Sequence, residues 1–516
     1  MKRIYRNIIA VAFAIAAIGC SDETLLDKVP YSSVAETMAF DSPESIKLSV
    51  NGMYEAAAIG TFAGAGGRGY VWGAAHIQQN DCRGEDVVNT ASFYQVTYLS
   101  TYDATTANNM YYWHDGYNLI NKANIVIEGV TEAMAEGIIS EAEGKDIIGQ
   151  ARFLRAITHF ELNVQMARPY NHTSDASHLG IILRENAINS EESLEEAEAH
   201  GARSTVREVY EHVLADLDYA EENITNTSLI YASSNAAVAF KTRVYLHMRA
   251  WDDVIEEANK IENSYTLTSS PSGVFDDNHG NSESIFSINQ TAISNGGVNG
   301  ALGSQYGRRL LVAISPIIWN NEGWLIDDKR RAYGEETDLV REVEGSLYTN
   351  KYRDHSTYSD LSPVLRHAEV KLNLAEALAR STTQQDLTRA IETLNEVRDR
   401  ALADPATQSY TSADLTSAQE VVEAIILERR IEFLMEGKRW QDIHRLQGDD
   451  LAPIDGIPAK VANGVPAPDL YDAASGVMPP LGASAIPYDD YRFIWPIPLS
   501  ETSVNPMVEG QQNPGY

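Results

Sequence analysis

The chain has 516 residues, 44% hydrophobic and 22% charged, which excludes disorder along its whole length and fits two to four domains or one long helical array. Asp and Glu number 73 against 40 Lys and Arg, and the resulting formal charge of -33 repels phosphate backbones, so nucleic acid is excluded as a partner. Two cysteines leave neither a disulfide framework nor a four-cysteine zinc site. At the start of the chain, Lys2, Arg3 and Arg6 precede an apolar run from Ile8 to Ile18, too short to span a bilayer. Ala17-Ile18-Gly19 then supplies small residues before Cys20, and residues 1–19 read as a secretory signal. Its removal takes away three cations and moves the formal charge from -33 to -36.

Apolar residues at three- and four-residue spacing predict helices over Ile46–Ala58, Tyr111–Ile127 and Ile147–Met166, the last ended by Pro169. An acidic run from Glu191 to Glu198 reads as a solvated loop or helix face. Ser204-Thr205 caps a helix carrying Val209, Val213 and Leu217. Ser234–Ile261 and Pro363–Ala401 each read as helix, tight turn, helix. They resemble tetratricopeptide repeats, whose period is about 34 residues and whose pairs must stack to bury both faces. A further helix covers Val421–Leu446, with a break at Gly437. Residues 60–110, 263–360 and 448–516 show no helical period, although Ser284–Ile288 reads as a short strand. The expected fold is mainly α: tetratricopeptide-like helix pairs with long irregular loops and a few short strands. Loops of such length are usually functional.

Cys82 has no His or Asn signature beside it and reads as a half-buried structural thiol. Gly64-Ala65-Gly66-Gly67-Arg68-Gly69 satisfies G-x-G-x-x-G. It follows a helix rather than a strand, and no glycine-initiated helix is expected after it, so the dinucleotide reading fails. Asp276, Asp277, Asn278 and Glu283 could hold a structural calcium. Gly280 stands where an EF-hand would place a ligand, and a polar turn is the preferred reading, with no cofactor. Arg152, Arg155, Glu428, Arg429, Arg430 and Glu432 lie on helices that must also pack, so they are expected in buried or half-buried ion pairs. Glu432 and Glu436, four apart, could instead be an acid/base pair, but no nucleophile or metal pattern accompanies them.

Ordered motifs carry a more specific resemblance. Cys20 with Ser21, Asp22 and Glu23 behind it resembles a lipoprotein signal with the surface-export residues of Bacteroidetes, although Ala17 stands where Leu is usual. Tyr112-Trp113-His114-Asp115-Gly116-Tyr117, Ala151-Arg152-Phe153-Leu154-Arg155-Ala156 and Leu365-Arg366-His367-Ala368-Glu369-Val370 follow in order. So do Glu428-Arg429-Arg430-Ile431-Glu432, Gly437-Lys438-Arg439-Trp440, Trp495-Pro496-Ile497-Pro498 and Asn513-Pro514-Gly515-Tyr516. Together they resemble the SusD/RagB-like outer-membrane nutrient-binding lipoproteins, with Gln150 replacing a usual Glu. The resemblance implies a signal peptide over 1–19 and one SusD-like domain over 20–516. Its helical core covers about 40–262 and 361–447, with loop-rich insertions at about 60–110 and 263–360 and an irregular segment at 448–516. It also implies lipid attachment at Cys20, an outer-membrane, cell-surface location and no catalysis. The implied partners are an oligosaccharide ligand and a SusC-like TonB-dependent transporter. A peptide ligand, as in the RagB branch, and a glycoside hydrolase with paired carboxylates are the alternatives.

Sugar rings offer C–H faces to aromatic rings and hydroxyl edges to polar side chains. Trp113, Trp251, Trp440 and Trp495 fall in motifs or helix pairs, which leaves Trp72, Trp319 and Trp324 in the irregular segments as expected platform rings. Tyr94, Tyr98 and Tyr306 are supporting candidates, with Arg68 and Arg308 as hydroxyl donors. The acidic surface favours neutral or cationic ligands unless Arg68 or Arg308 lines the site.

Overall fold

The computed structural model describes residues 38–60, 67–276, 280–472 and 479–516; Cys20 and the signal segment lie outside the described residues. Helix α1, Pro43–Ala58, starts where Ser42 caps the Ser45 N–H at 3.2 Å and proline occupies the first turn. Helix α2 is Ala74–Arg83, and strand β1 is Val87–Asn89. Helices α3, Ala107–Ala135, and α4, Glu141–Met166, form the longest adjacent pair, and α4 opens with a Ser140–Glu143 capping box. Helix α5, Glu191–Ala199, is the acidic run, with no buried residue. Helix α6, Val206–Asn223, packs on α4.

The two repeat-like pairs form as expected. Helix α7, Ser234–Met248, packs on α8, Trp251–Ile261. Helix α9, His367–Arg380, packs on α10, Leu387–Asp399. Neighbouring pairs then stack, with α9 touching both α8 and α11, Ala418–Glu432, so one helix's unspent apolar face is covered by the next. The predicted break at Gly437 separates α11 from α12, Arg439–Arg445. Gly437 has φ +72, and a Cβ there would fall 3.0 Å from the Ile77 Cα, so the close approach of α2 needs glycine.

Strands fill part of the irregular stretches. Strands β2 (Ser284–Ile288), β3 (Val312–Ile314), β4 (Val340–Val343), β5 (Ser346–Thr349) and β6 (Ser362–Arg366) form two antiparallel sheets with β1. One has the order β1-β3-β5-β4, pairing Val87 with Ile314, Ala313 with Tyr348 and Val340 with Thr349. The other pairs β2 with β6. The helices enclose the main apolar core. The four-stranded sheet helps enclose a second, which includes Tyr306, Ile318, Trp319, Trp324 and Ile431.

Helix α2 lies in a stretch read as non-helical. All ten of its residues are buried, among them the polar run Gln78-Gln79-Asn80-Asp81, which reads in sequence as a solvated stretch. Arg83 donates to Gln165 Oε1 at 2.7 Å and to the Phe493 carbonyl, with its guanidinium 3.3 Å over the Trp440 ring. Asp81 accepts from the Tyr306 hydroxyl at 2.5 Å and the Gly437 N–H at 2.8 Å; burial still pushes its carboxyl up to about 7. Because α2 begins directly behind Gly73, one objection to the Gly-rich motif falls. The other stands: the motif follows helix α1.

The motif charges form ion pairs. Arg155 Nε lies 2.7 Å from Asp216, while the partly exposed Arg152 is 3.7 Å from the same carboxylate. Arg429 pairs with Asp442 at 3.0 Å and Arg430 with Asp86 at 2.5 Å. Burial opposes ionisation of Glu369, but Arg243 and Lys438 outweigh it and hold the carboxyl at about 2. A depressed carboxylate stabilises the fold above its unfolded pKa, and that contribution is lost as the pH falls toward the folded value. Thermal unfolding midpoints are therefore expected to drop steeply between pH about 4.5 and 2, with little change from pH 5 to 6 attributable to this group.

Candidate ligand-binding face

The six aromatic side chains expected to form a platform are buried, which corrects that expectation. Trp72 is 3% exposed and donates its indole N–H to Thr158 Oγ1 at 3.2 Å in the main core. Trp319 and Trp324, 6% and 2% exposed, pack edge-to-face with centroids 5.4 Å apart in the second core. Arg331 covers the Trp319 ring at 4.3 Å and donates to both tryptophan carbonyls at 2.7 Å. Tyr94 and Tyr98 are buried, the latter donating to the Val461 carbonyl at 2.7 Å, and buried Tyr306 donates to Asp81. The four-stranded sheet needs large side chains to close its own core, which takes Tyr306, Trp319 and Trp324, while Trp72, Tyr94 and Tyr98 are packed into the main core beneath irregular backbone.

Arg68 and Arg308 do reach the solvent side. Arg68 stands 4.5 Å over the half-buried Phe93 ring, beside Tyr70, whose hydroxyl burial pushes up to about 12 against the pull of Arg68. Tyr70 donates to Asn108 Oδ1 at 2.9 Å and packs on the half-buried Tyr111 ring with centroids 5.5 Å apart. A Cβ on Gly300 would fall 2.7 Å from the Arg68 Cα, so the middle loop is pressed against the early one. Next to Gly300, Asn299 Oδ1 accepts from Arg309 Nη1 at 2.9 Å. Exposed Arg308 donates to the Tyr358 hydroxyl at 2.6 Å, and Asn295 donates to the Thr357 carbonyl at 3.0 Å. Residues 67–73, 90–111, 295–310 and 353–360 thus interlock into one face.

Tyr358 has φ +61, a left-handed conformation that is unfavourable for a bulky residue. The loop enforces it: Asp354 accepts from the backbone N–H groups of Ser356, Thr357 and Ser359 at 3.1, 2.8 and 2.7 Å. Those bonds hold its carboxyl well below the usual range despite some desolvation. The result is a fixed, half-buried ring facing a guanidinium. Nothing in the sequence pattern marks Phe93, Tyr111, Tyr358 or Arg309 for this face; a Ser/Thr/Asp-rich turn around Tyr358 is the only hint. Beside this face runs a groove of about 760 Å³ that includes Arg341, Glu342, Arg353 and His355.

The remaining candidates are engaged elsewhere. Glu432 and Glu436 bind Arg330, Arg366, Arg400 and Lys351. Glu283 binds Arg366 and Arg400, and Asp276 binds Arg353, while Asp277 and Asn278 lie outside the described residues. No group of three or more His, Cys, Asp or Glu among the described residues is arranged to hold a metal. Cys82 is fully rather than half buried, and burial pushes its thiol up to about 12. No described helix is long and apolar enough to cross a membrane.

Stacked helix pairs with an interlocked loop face define a helical-repeat protein that presents a preformed surface. The model of the SusD family matches residues 338–516, and a second, described as "Starch-binding associating with outer membrane", matches residues 24–246. The chain is SusD/RagB-like over both matched stretches, and the description of the second family names starch binding and association with the outer membrane. It is 26% identical to SusD-like protein P2 of Formosa agariphila, over 86% of this chain and 90% of that one. A crystal structure of a SusD superfamily protein from Bacteroides fragilis superposes with a TM-score of 0.74 at 27% identity, over 91% of this chain and 99% of the other. A Bacteroides vulgatus SusD superfamily structure at 20% identity, covering 92% and 100%, shares the fold with a TM-score of 0.70.

Proposed function

We propose that this protein is a lipid-anchored, cell-surface carrier that holds an oligosaccharide on its loop face and passes it, unaltered, to a SusC-like TonB-dependent transporter. Attachment at Cys20 and the carrier role rest on family membership and on the signal-like start of the sequence. The observation that carries the binding role is the interlocked face, where the half-buried Phe93, Tyr111 and Tyr358 lie in the same stretches as Arg68 and Arg308. Such rings can lie against sugar C–H faces while guanidinium N–H groups donate to hydroxyls. The carboxylates that could serve as a hydrolytic pair are spent on cations, which supports carriage without chemistry.

Calorimetry across an oligosaccharide panel tests the reading, with chromatography of the same mixtures to detect cleavage. Binding without new products is expected. Binding to peptides alone would move the assignment to the RagB-type alternative, and released sugar products would make the protein an enzyme. Tyr358→Gly provides a sharper check. Removing the ring is expected to weaken binding about tenfold, equivalent to about 1.4 kcal/mol. The same change relieves the left-handed backbone, so the unfolding midpoint should stay level or rise. A fall in both would make Tyr358 a packing residue only.

A further inference from the structure

We propose that the oligosaccharide taken by this face is anionic, bearing carboxylate or sulfate groups that Arg68, Arg308 and Arg309 bind. The inference rests on the carrier reading and adds the charge of its ligand. The chain is strongly acidic, and most of its buried guanidiniums are consumed by carboxylates, among them Arg155, Arg243, Arg330 and Arg366. On the loop face the pattern reverses. Arg68 has the Phe93 ring, Arg308 the Tyr358 hydroxyl, and Arg309 the Asn299 side-chain carbonyl. Arg341, at the edge, donates to the Gly307 carbonyl at 3.2 Å. None of the four has a carboxylate partner within ion-pair distance among the described residues.

A guanidinium steadied by a neutral partner keeps most of its five N–H donors free. Its planar fork matches carboxylate and sulfonate-type oxygens in pairs. Arg68 and Arg309 both lower the cost of ionising buried Tyr94, which places their charges in one local field. The acids of residues 353–360 do not cancel it. Asp354 and Asp360 are turned into their own loop, accepting backbone N–H groups of residues 353–359. Glu335, Glu336 and Glu342 line the adjoining groove beside Arg341 and Arg353, beyond Arg68 and Arg309. At physiological salt the screening length is about 8 Å, so a bound ligand feels these arginines more than the net negative charge of the whole chain.

The test uses the full chain and matched pairs of probes: oligogalacturonates with their carboxyl-reduced forms, sulfated oligosaccharides with their desulfated forms, neutral oligosaccharides and acidic peptides. The tightest binder is expected to be an anionic sugar whose neutralised twin binds at least tenfold more weakly. The carboxylate and sulfate arms identify which group is read. Its affinity should fall as NaCl rises from 0.05 to 0.5 M. It should fall about tenfold in Arg68→Gln and Arg308→Gln, with unchanged unfolding midpoints. A neutral sugar as best binder, indifferent to both substitutions, would overturn the anionic assignment and leave the carrier reading standing. Failure to bind any sugar, with or without capture of the peptides, would overturn both.

Discussion

Glu432→Ala is expected to destabilise the protein by about 3–5 kcal/mol, the range for removing one partner from a buried ion pair. The Glu432 carboxylate accepts from Arg366 at 2.9 Å, Arg400 at 2.6 Å and Arg330 at 3.1 Å. Those cations also meet Glu283, Glu428, Glu436 and Asp328, and Lys351 and Arg398 complete the group. Five cations therefore face five carboxylates, and the set is neutral. Burial alone would raise the Glu432 carboxyl, but Arg400, Arg366 and Arg330 hold it well below the usual range. Alanine leaves a net positive charge in a poorly solvated interior with no relaxation route. Chemical unfolding of the variant measures the loss. As a control, removing the exposed Glu141–Lys145 pair on α4 should leave the curve where it is. An unchanged curve for Glu432→Ala would mean the cluster is hydrated.

Trp324→Ala should cost about 3–5 kcal/mol, the range for deleting a buried indole. Trp324 packs on Trp319, and the pair shares Arg331, so the cavity would be flanked by a guanidinium that keeps the Trp319 ring and loses the Trp324 one. Thermal unfolding should show a large downward shift. Any weakening of sugar binding should track the unfolded fraction rather than precede it. A surface tryptophan would behave oppositely, losing affinity at full stability.

That contrast shows where sequence was a sufficient guide. Helices α8 and α10 were legible because each alternates a covered and an open side at the helical period, and α4, α7 and α9 because their apolar residues recur at three- and four-residue spacing. The pairing of Arg155, Arg429, Arg430 and Glu432 was legible because charges on faces that must pack need partners. Helix α2 was not, since its polar run Gln78-Gln79-Asn80-Asp81 is buried, the reverse of what polarity suggests. Trp319 and Trp324 were misplaced for a related reason. Strands β3 and β5 have three and four residues, too short for a period of two to show, so the second core left no trace in the pattern. Arg68 and Arg308 lie on the loop face, and the rings beside them were chosen by tertiary approach, such as Arg68 over Phe93, which no local signal encodes.

The pressing of Gly300 against Arg68 brings together stretches more than two hundred positions apart in the chain. Helix pairs can assemble from neighbours, whereas that juncture needs the intervening polypeptide to be in place first, and long closures of this kind come late. Ligand capture is therefore a report on finished folding: a preparation with full helical circular dichroism and no affinity would consist of molecules whose scaffold formed before its loops met.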